Sequence, residues 1–150
     1  MMEWRVYLAG EIHTNWRDEI KEKSQRLNLP IEFTQAITNH ELSDDCGSLI
    51  LGSEERKFWH DHKSAKLNAI KTRTAIEKSD IVIVRFGEKY KQWNAAFEAG
   101  FSAALSKPLI IIHQDENQHA LKEIDAAALA ITKNVDEVVK ILQYTIMGKL

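Results

Sequence analysis

DIVIVRF, Asp80 to Phe86, holds four consecutive β-branched residues with no polar residue among them. A strand with one wet face alternates apolar and polar residues. A continuous run marks a strand covered on both faces, as in a parallel sheet. The flanking sequence repeats the theme. Downstream, QWNAAFEAGFSAALSKPLIIIH (Gln92 to His113) reads as a helix over about 93–106 and then a second buried strand, PLIIIH (108–113). Upstream, 57–78 turns helical, with Phe58, Ala65, Ala69, Ile70 and Ile76 as its apolar members. The chain opens on a strand, WRVYLA (4–9), ended by Gly10. A solvated amphipathic helix (15–27) follows, with Trp16, Ile20 and Leu27 among charges. Asn28 and Pro30 stop that helix before IEFT (31–34), a strand candidate. Residues 118–128 predict a helix, LAIT (129–132) a short edge strand, and 135–147 a final helix. Only 35–56 is irregular, with Asn39, Asp44, Asp45, Gly47 and Gly52. A connection that long in a compact domain is usually functional or carries small structure of its own.

Strand and helix therefore alternate five times. This predicts one flavodoxin-like α/β domain over 1–150, three layers deep, with a five-stranded parallel sheet of order 2-1-3-4-5. The 150 residues suit a single core, and 44% hydrophobic with 28% charged residues is an ordinary globular composition. A net charge of −2, with basic residues scattered among acids, gives no argument for a nucleic-acid polymer or a membrane surface. No apolar run approaches the roughly 20 residues of a membrane span. The opening MMEWRVYLAGEIH lacks the order of a secretory signal. The single cysteine, Cys46, rules out an intramolecular disulfide and suits a reducing compartment, so a cytoplasmic protein is expected.

In doubly wound sheets the ligand sits beyond the carboxyl ends of the strands, where the strand order reverses. That points to the chain after Ala9 and after Phe86. In YLAGEIHTNW (7–16), Gly10 lets the backbone turn and brings Glu11 and His13 over the sheet edge. In RFGEKYKQWNAAFEAG (85–100), Phe86 and Gly87 end the strand, and Gln92, Trp93 and Asn94 lead into the helix. With Asn94 as N-cap, Glu98 falls in the first or second turn. Phe97, Phe101, Ala104 and Leu105 then form the core face, and Glu98, about 100 degrees round from Phe97, borders it and faces the crevice. Ala95, Ala96, Ala99 and Gly100 allow close approach to the sheet or a ligand. The helix N-terminus favours a negative charge, by a few tenths to one kcal/mol, so Glu98 is expected to stay ionised while partly buried. A positioned carboxylate suits covalent attack at an acetal carbon. The same spacing also describes an ordinary helix-terminal glutamate.

YLAG (7–10), SDIVIVRF (79–86) and AAFEAGFSAALSKPLIII (95–112) resemble the nucleoside 2-deoxyribosyltransferases. YLAGEIHTNWR together with QWNAAFEAGFSAAL more narrowly resembles the YtoQ family of that superfamily. The resemblance covers about two-thirds of the chain and leaves 35–65 aside. It implies that Glu98 is a nucleophile taking the sugar from one base, that Tyr7 orients it, and that Gly10 and the residues after it line the pocket. It also implies a small nucleoside or nucleotide ligand and a homo-oligomer, since the related transferases complete their sites with neighbouring chains. Two family aspartates are replaced, one by Gln92 and one at or near Thr72. Uncharged Gln92 and Asn94 could still hydrogen-bond a sugar or base, and Trp93 could stack on one. Both a changed substrate and a non-catalytic nucleoside-binding module fit those replacements.

No metal and no cofactor is expected. His60 and His62, two apart on a helix, cannot share an ion, and neither CxxC nor HExxH occurs. Neither a Walker-A loop nor GxGxxG is present. Cys46 reads as a plain loop cysteine and Asp80 as structural. Trp4 and Trp16 read as packing residues. Trp59 could cover the pocket or a subunit contact, and the final helix, with its broad apolar face, could pack on the sheet or support a dimer.

Overall fold

The computed structural model describes residues 2–149. In chain order the elements are β1 (Trp4–Gly10), α1 (Trp16–Arg26), β2 (Ile31–Gln35), α2 (His40–Leu51), α3 (Lys57–Lys78), β3 (Ile81–Arg85), α4 (Trp93–Ala104), β4 (Leu109–Ile112), α5 (Lys122–Ala127), β5 (Ala130–Thr132) and α6 (Val135–Met147). The strands form a five-stranded sheet of order β2-β1-β3-β4-β5, parallel throughout. The predicted topology is the observed one.

Strand geometry sends successive side chains to opposite faces, and both faces here are covered. Val6, Leu8, Ile81, Ile83, Ile110 and Ile112 meet Trp16 and Ile20 of α1 and Val135, Val138, Val139 and Leu142 of α6. Tyr7, Ala9, Val82, Val84, Leu109 and Ile111 meet Ile76 of α3 and Ala95 and Ala99 of α4. That double burial is why the strands carry unbroken apolar runs. The apolar stripe of α6 is thus the one laid on the sheet. Asp80 accepts the Arg5 amide at 2.8 Å, at the end of the sheet remote from the crevice.

Three readings of the sequence need correction. The irregular stretch holds a helix, α2: Asn39 caps it by accepting the Leu42 amide at 2.9 Å, and Gly52 follows its last turn. Gly47, which looks like a breaker, is the contact point with α3. A Cβ there would lie 2.5 Å from both the Lys63 Cβ and the Ser64 nitrogen. Ser64 and Asn68 of α3 complete the seam, accepting from the Gly47 amide at 3.0 Å and donating to the Ser43 carbonyl at 3.0 Å. Gly47→Ala should therefore lower stability by about 2 kcal/mol, read as a reduced urea midpoint with an unchanged slope.

The second correction concerns α4. Phe97 and Leu105 are 58% and 39% exposed, and the buried residues are Ala95, Ala99 and Ser102. The small stripe wins because it lets the α4 backbone approach the sheet. The aromatics move to the flank, where Phe97 and Phe101 stack in parallel planes and Arg73 of α3 lies over both rings. Third, the 118–128 helix is shorter, with a 3-10 turn (Asp115–Asn117) preceding α5.

Candidate active site

At the carboxyl end of the sheet a cavity of about 630 Å³ opens between β1, α2, α3 and α4, within the range of ordinary ligand sites, about 300–1,000 Å³. Ala9, Gly10 and Ile12 form its floor with Arg17. His40, Ser43 and Asp44 of α2, and Lys57, Asp61, Asn68, Thr72 and Arg73 of α3, form its outer wall. Asn94, Phe97 and Glu98 of α4 close the remaining side.

The register of β1 turns Tyr7 toward α3 and α4, where its side chain is fully buried. Its hydroxyl donates to Glu98 Oε1 at 3.4 Å, a long contact. Burial and the neighbouring Glu98 charge push the Tyr7 phenol far above its usual range, so it remains a donor. Thr72 of α3 lines the same cavity and offsets part of that shift in the Tyr7 phenol. For Glu98 the causes oppose one another. Burial drives its carboxyl up, the Tyr7 hydrogen bond and the Arg17 charge pull it down, and it settles near 7 against an ordinary 4.5. The helix end, expected to help keep the carboxylate ionised, gives it little support. Glu98 lies in the second turn of α4, past the reach of a terminus effect that fades within the first turn.

Of the residues singled out from sequence, Gly10, Asn94 and Glu98 line the cavity, and Tyr7 lies directly beneath. Asn94 is not the N-cap of α4. Gln92 holds that position, and no side chain caps the helix. The others sit off the lining because other bonds hold them. Glu11 is buried, accepting the His13 and Thr14 amides at 2.7 and 3.1 Å, the Thr14 hydroxyl, and Arg85 at 2.8 Å. Burial raises the Glu11 pKa, but those donors outweigh it and hold the carboxyl below its usual value. The His13 ring lies 4.9 Å from that of Tyr90. Gln92 accepts the Gly87 amide at 3.0 Å and donates to the Lys89 and Tyr90 carbonyls at 2.6 and 2.8 Å, which folds the β3–α4 loop. Phe86 belongs to the core, and Trp93 is 75% exposed beside Lys91.

The sequence reading missed Arg17, and it took the wall that α2 contributes through His40, Ser43 and Asp44 for irregular loop. Arg17 looked like one more charge on a solvated helix, yet it is 7% exposed. Its Nη1 and Nη2 donate to the Glu11 and Gly10 carbonyls at 2.6 and 3.2 Å. Cys46 is a helical residue facing α3, its thiol directed at the Asn68 Oδ1 at 3.4 Å. Among the described residues no group of three or more His, Cys, Asp or Glu side chains is arranged to hold a metal ion. No helix there is long and apolar enough to cross a membrane.

Sheet order, cavity position and the face carrying Glu98 define the class: a doubly wound fold shared with solved bacterial structures. A conserved protein from Enterococcus faecalis V583 superposes with a TM-score of 0.64 at 12% identity, over 96% of this chain and 99% of that one. A 2-deoxyribosyltransferase from the psychrotolerant bacterium Bacillus psychrosaccharolyticus superposes with a TM-score of 0.52 at 15% identity, over 90% of each. At those identities the likeness is one of fold. Sequence is more specific. The family described as "Nucleoside 2-deoxyribosyltransferase YtoQ" matches residues 7–146. The chain is also 46% identical over 143 residues to "Uncharacterized protein YtoQ" of Bacillus subtilis (strain 168), covering 95% of this chain and 97% of that protein. The chain belongs to the YtoQ family.

Proposed function

We propose that the protein cleaves the N-glycosidic bond of a small nucleoside or nucleotide, with Glu98 as nucleophile and Tyr7 as its orienting donor. The observation that carries this reading is a half-buried carboxylate on a cavity wall, held by a phenol that stays protonated. The family description and the transferase with the same fold supply the substrate class. A Glu98 oxygen attacks the anomeric carbon as the carbon–nitrogen bond breaks, and the electron pair leaves with the base nitrogen, which takes up a proton from solvent water. Water or a second base then attacks the same carbon and restores the carboxylate, giving hydrolysis or exchange. Gly10 and Asn94 are the nearest pocket residues from the sequence reading. Glu11, His13, Phe86, Gly87, Gln92 and Trp93 support the two loops that frame it.

Binding without turnover is the competing reading. Gln92 favours it, because this residue replaces a family aspartate and its side chain is occupied by loop backbone. Incubation with a panel of nucleosides and nucleotides, with and without free base, separates the two. Released or exchanged base supports the enzyme, and saturable binding with no release supports the module. The nucleophile must be ionised, so base release should fall as pH drops through about 7. Tyr7→Phe removes a donor to the carboxylate. It should move that limb to higher pH and lower base release at pH 7 by about tenfold. Self-association belongs to the same proposal. Leu49, Ile50, Phe58 and Trp59 are exposed on α2 and α3, and light scattering on the purified protein reads the assembly size.

A further inference from the structure

The floor of the cavity holds a cation that the reaction just proposed leaves unexplained. Arg17 is buried, lines the same cavity as Glu98, and forms no ion pair among the described residues. Its two hydrogen bonds go to neutral carbonyls, and its Nε has no partner. Burying a charge without a carboxylate partner is expensive, and arginine cannot relieve it by losing its proton. Pinning the turn after β1 does not require a charge. The neutral indole of Trp16 already donates to the same Glu11 carbonyl at 2.9 Å. The guanidinium also lies over the Trp16 ring, 4.8 Å from its centroid, and the nearby Glu11 carboxylate attracts it most; on the cavity lining, the carboxylate it acts on is Glu98.

The other charges in view are engaged. His40 pairs with Asp44 at 3.2 Å and Lys57 with Asp61 at 2.7 Å. Arg73 lies over Phe97 and Phe101. The Glu11 carboxylate is tied to Arg85 at 2.8 Å, and Asp18, the last acid near Arg17, is on α1 outside the lining. Two side chains act on the Glu98 carboxylate, Tyr7 from β1 and Arg17 from α1.

Resting on the function proposed above, we infer that Arg17 is a positioning residue whose guanidinium, anchored on the Gly10 and Glu11 carbonyls, keeps the Glu98 carboxylate ionised from across the cavity. Field and shape are separable. Arg17→Lys retains the charge, and Arg17→Gln retains a donor for the carbonyls but removes the charge. The test is a carbon-13 titration of glutamate carboxyls, with the Glu98 signal assigned by its absence in Glu98→Gln. The wild-type midpoint should lie near 7. Arg17→Gln should raise it by about one pH unit and Arg17→Lys should leave it nearly in place. An unmoved midpoint in Arg17→Gln, or equal movement in both variants, overturns the inference. Should Arg17→Gln fail to fold, Arg17→Met, which also removes the charge, takes its place: a raised midpoint upholds the inference and an unmoved one overturns it.

The titration needs no substrate, so it reports on Arg17 even if no nucleoside is cleaved, an outcome that would sink only the proposed function. Where base is released, Arg17→Gln should recover most of the wild-type kcat/KM at pH 9. A uniform loss at every pH would mean a merely structural role.

Discussion

Glu98→Gln is expected to lower base release by at least about 10³-fold, because the amide cannot form the glycosyl bond while every binding contact survives. The same substitution should make the protein more stable. The Glu98 carboxyl is near 7 in the fold and about 4.5 otherwise, so the unfolded chain ionises more readily. The stability Glu98 contributes is therefore complete below pH 4.5 and is lost as pH rises through 7. Above that, the native carboxylate costs about 2–3 kcal/mol, reduced from the full linkage value because the group is only half-buried. Glutamine carries no such charge and still accepts from Tyr7. At pH 8 the variant should melt roughly 4–8 °C above the wild type, and the gap should close by about pH 4.5. A loss of activity joined to a gain of stability is the signature of a residue kept for chemistry. A purely structural glutamate would show the reverse.

Gly10→Ala should have the largest effect on the fold itself. Gly10 sits at φ +120°, and a Cβ there would lie 2.0 Å from the Arg85 carbonyl oxygen and 2.8 Å from its nitrogen. Those are backbone atoms of the neighbouring strand, so no rotamer relieves the clash. The alternative is to move β1 off β3 where Gly10 faces Arg85. Backbone strain and overpacking together should cost about 3–5 kcal/mol, a large part of an ordinary domain's stability. The melting temperature should fall by roughly 10 °C or more. The damage would be local to the site as well. The Gly10 carbonyl carries Arg17, and the next amide, Glu11, donates to the Arg85 carbonyl at 3.0 Å. A calorimetric scan of Gly10→Ala beside Gly52→Ala, whose added Cβ meets nothing within 4 Å though its φ of +96° is also strained, isolates the contact from the conformation.

The sheet was legible because its residues have two covered faces. Ile81–Val84 and Leu109–Ile112 show no alternation, and short connections leave few orders for five parallel strands. The helix α2 was not legible, because Asn39, Gly47 and Gly52 are loop residues by propensity. Here one is a cap, one a packing contact and one a terminator. On α4 large apolar residues at helical spacing pointed to the wrong stripe. Periodicity ranks residues by hydrophobicity, whereas the close approach to β1 and β3 selects by size, and Ala95, Ala99 and Ser102 fit. Glu98 and Tyr7 could be paired from sequence by resemblance. Arg17 could not, because nothing local distinguishes a buried arginine at the start of a charged helix from its solvated neighbours.

The central claim is that the Glu98 carboxylate becomes bonded to the sugar during turnover. Intact-protein mass spectrometry of acid-quenched reactions with the nucleoside and nucleotide panel, followed by peptide mapping, tests it most directly. The account predicts a single glycosyl adduct on the peptide carrying Glu98, absent from Glu98→Gln and discharged by added base or by water. Base release by the wild type with no adduct, or an adduct that persists in Glu98→Gln, would contradict it.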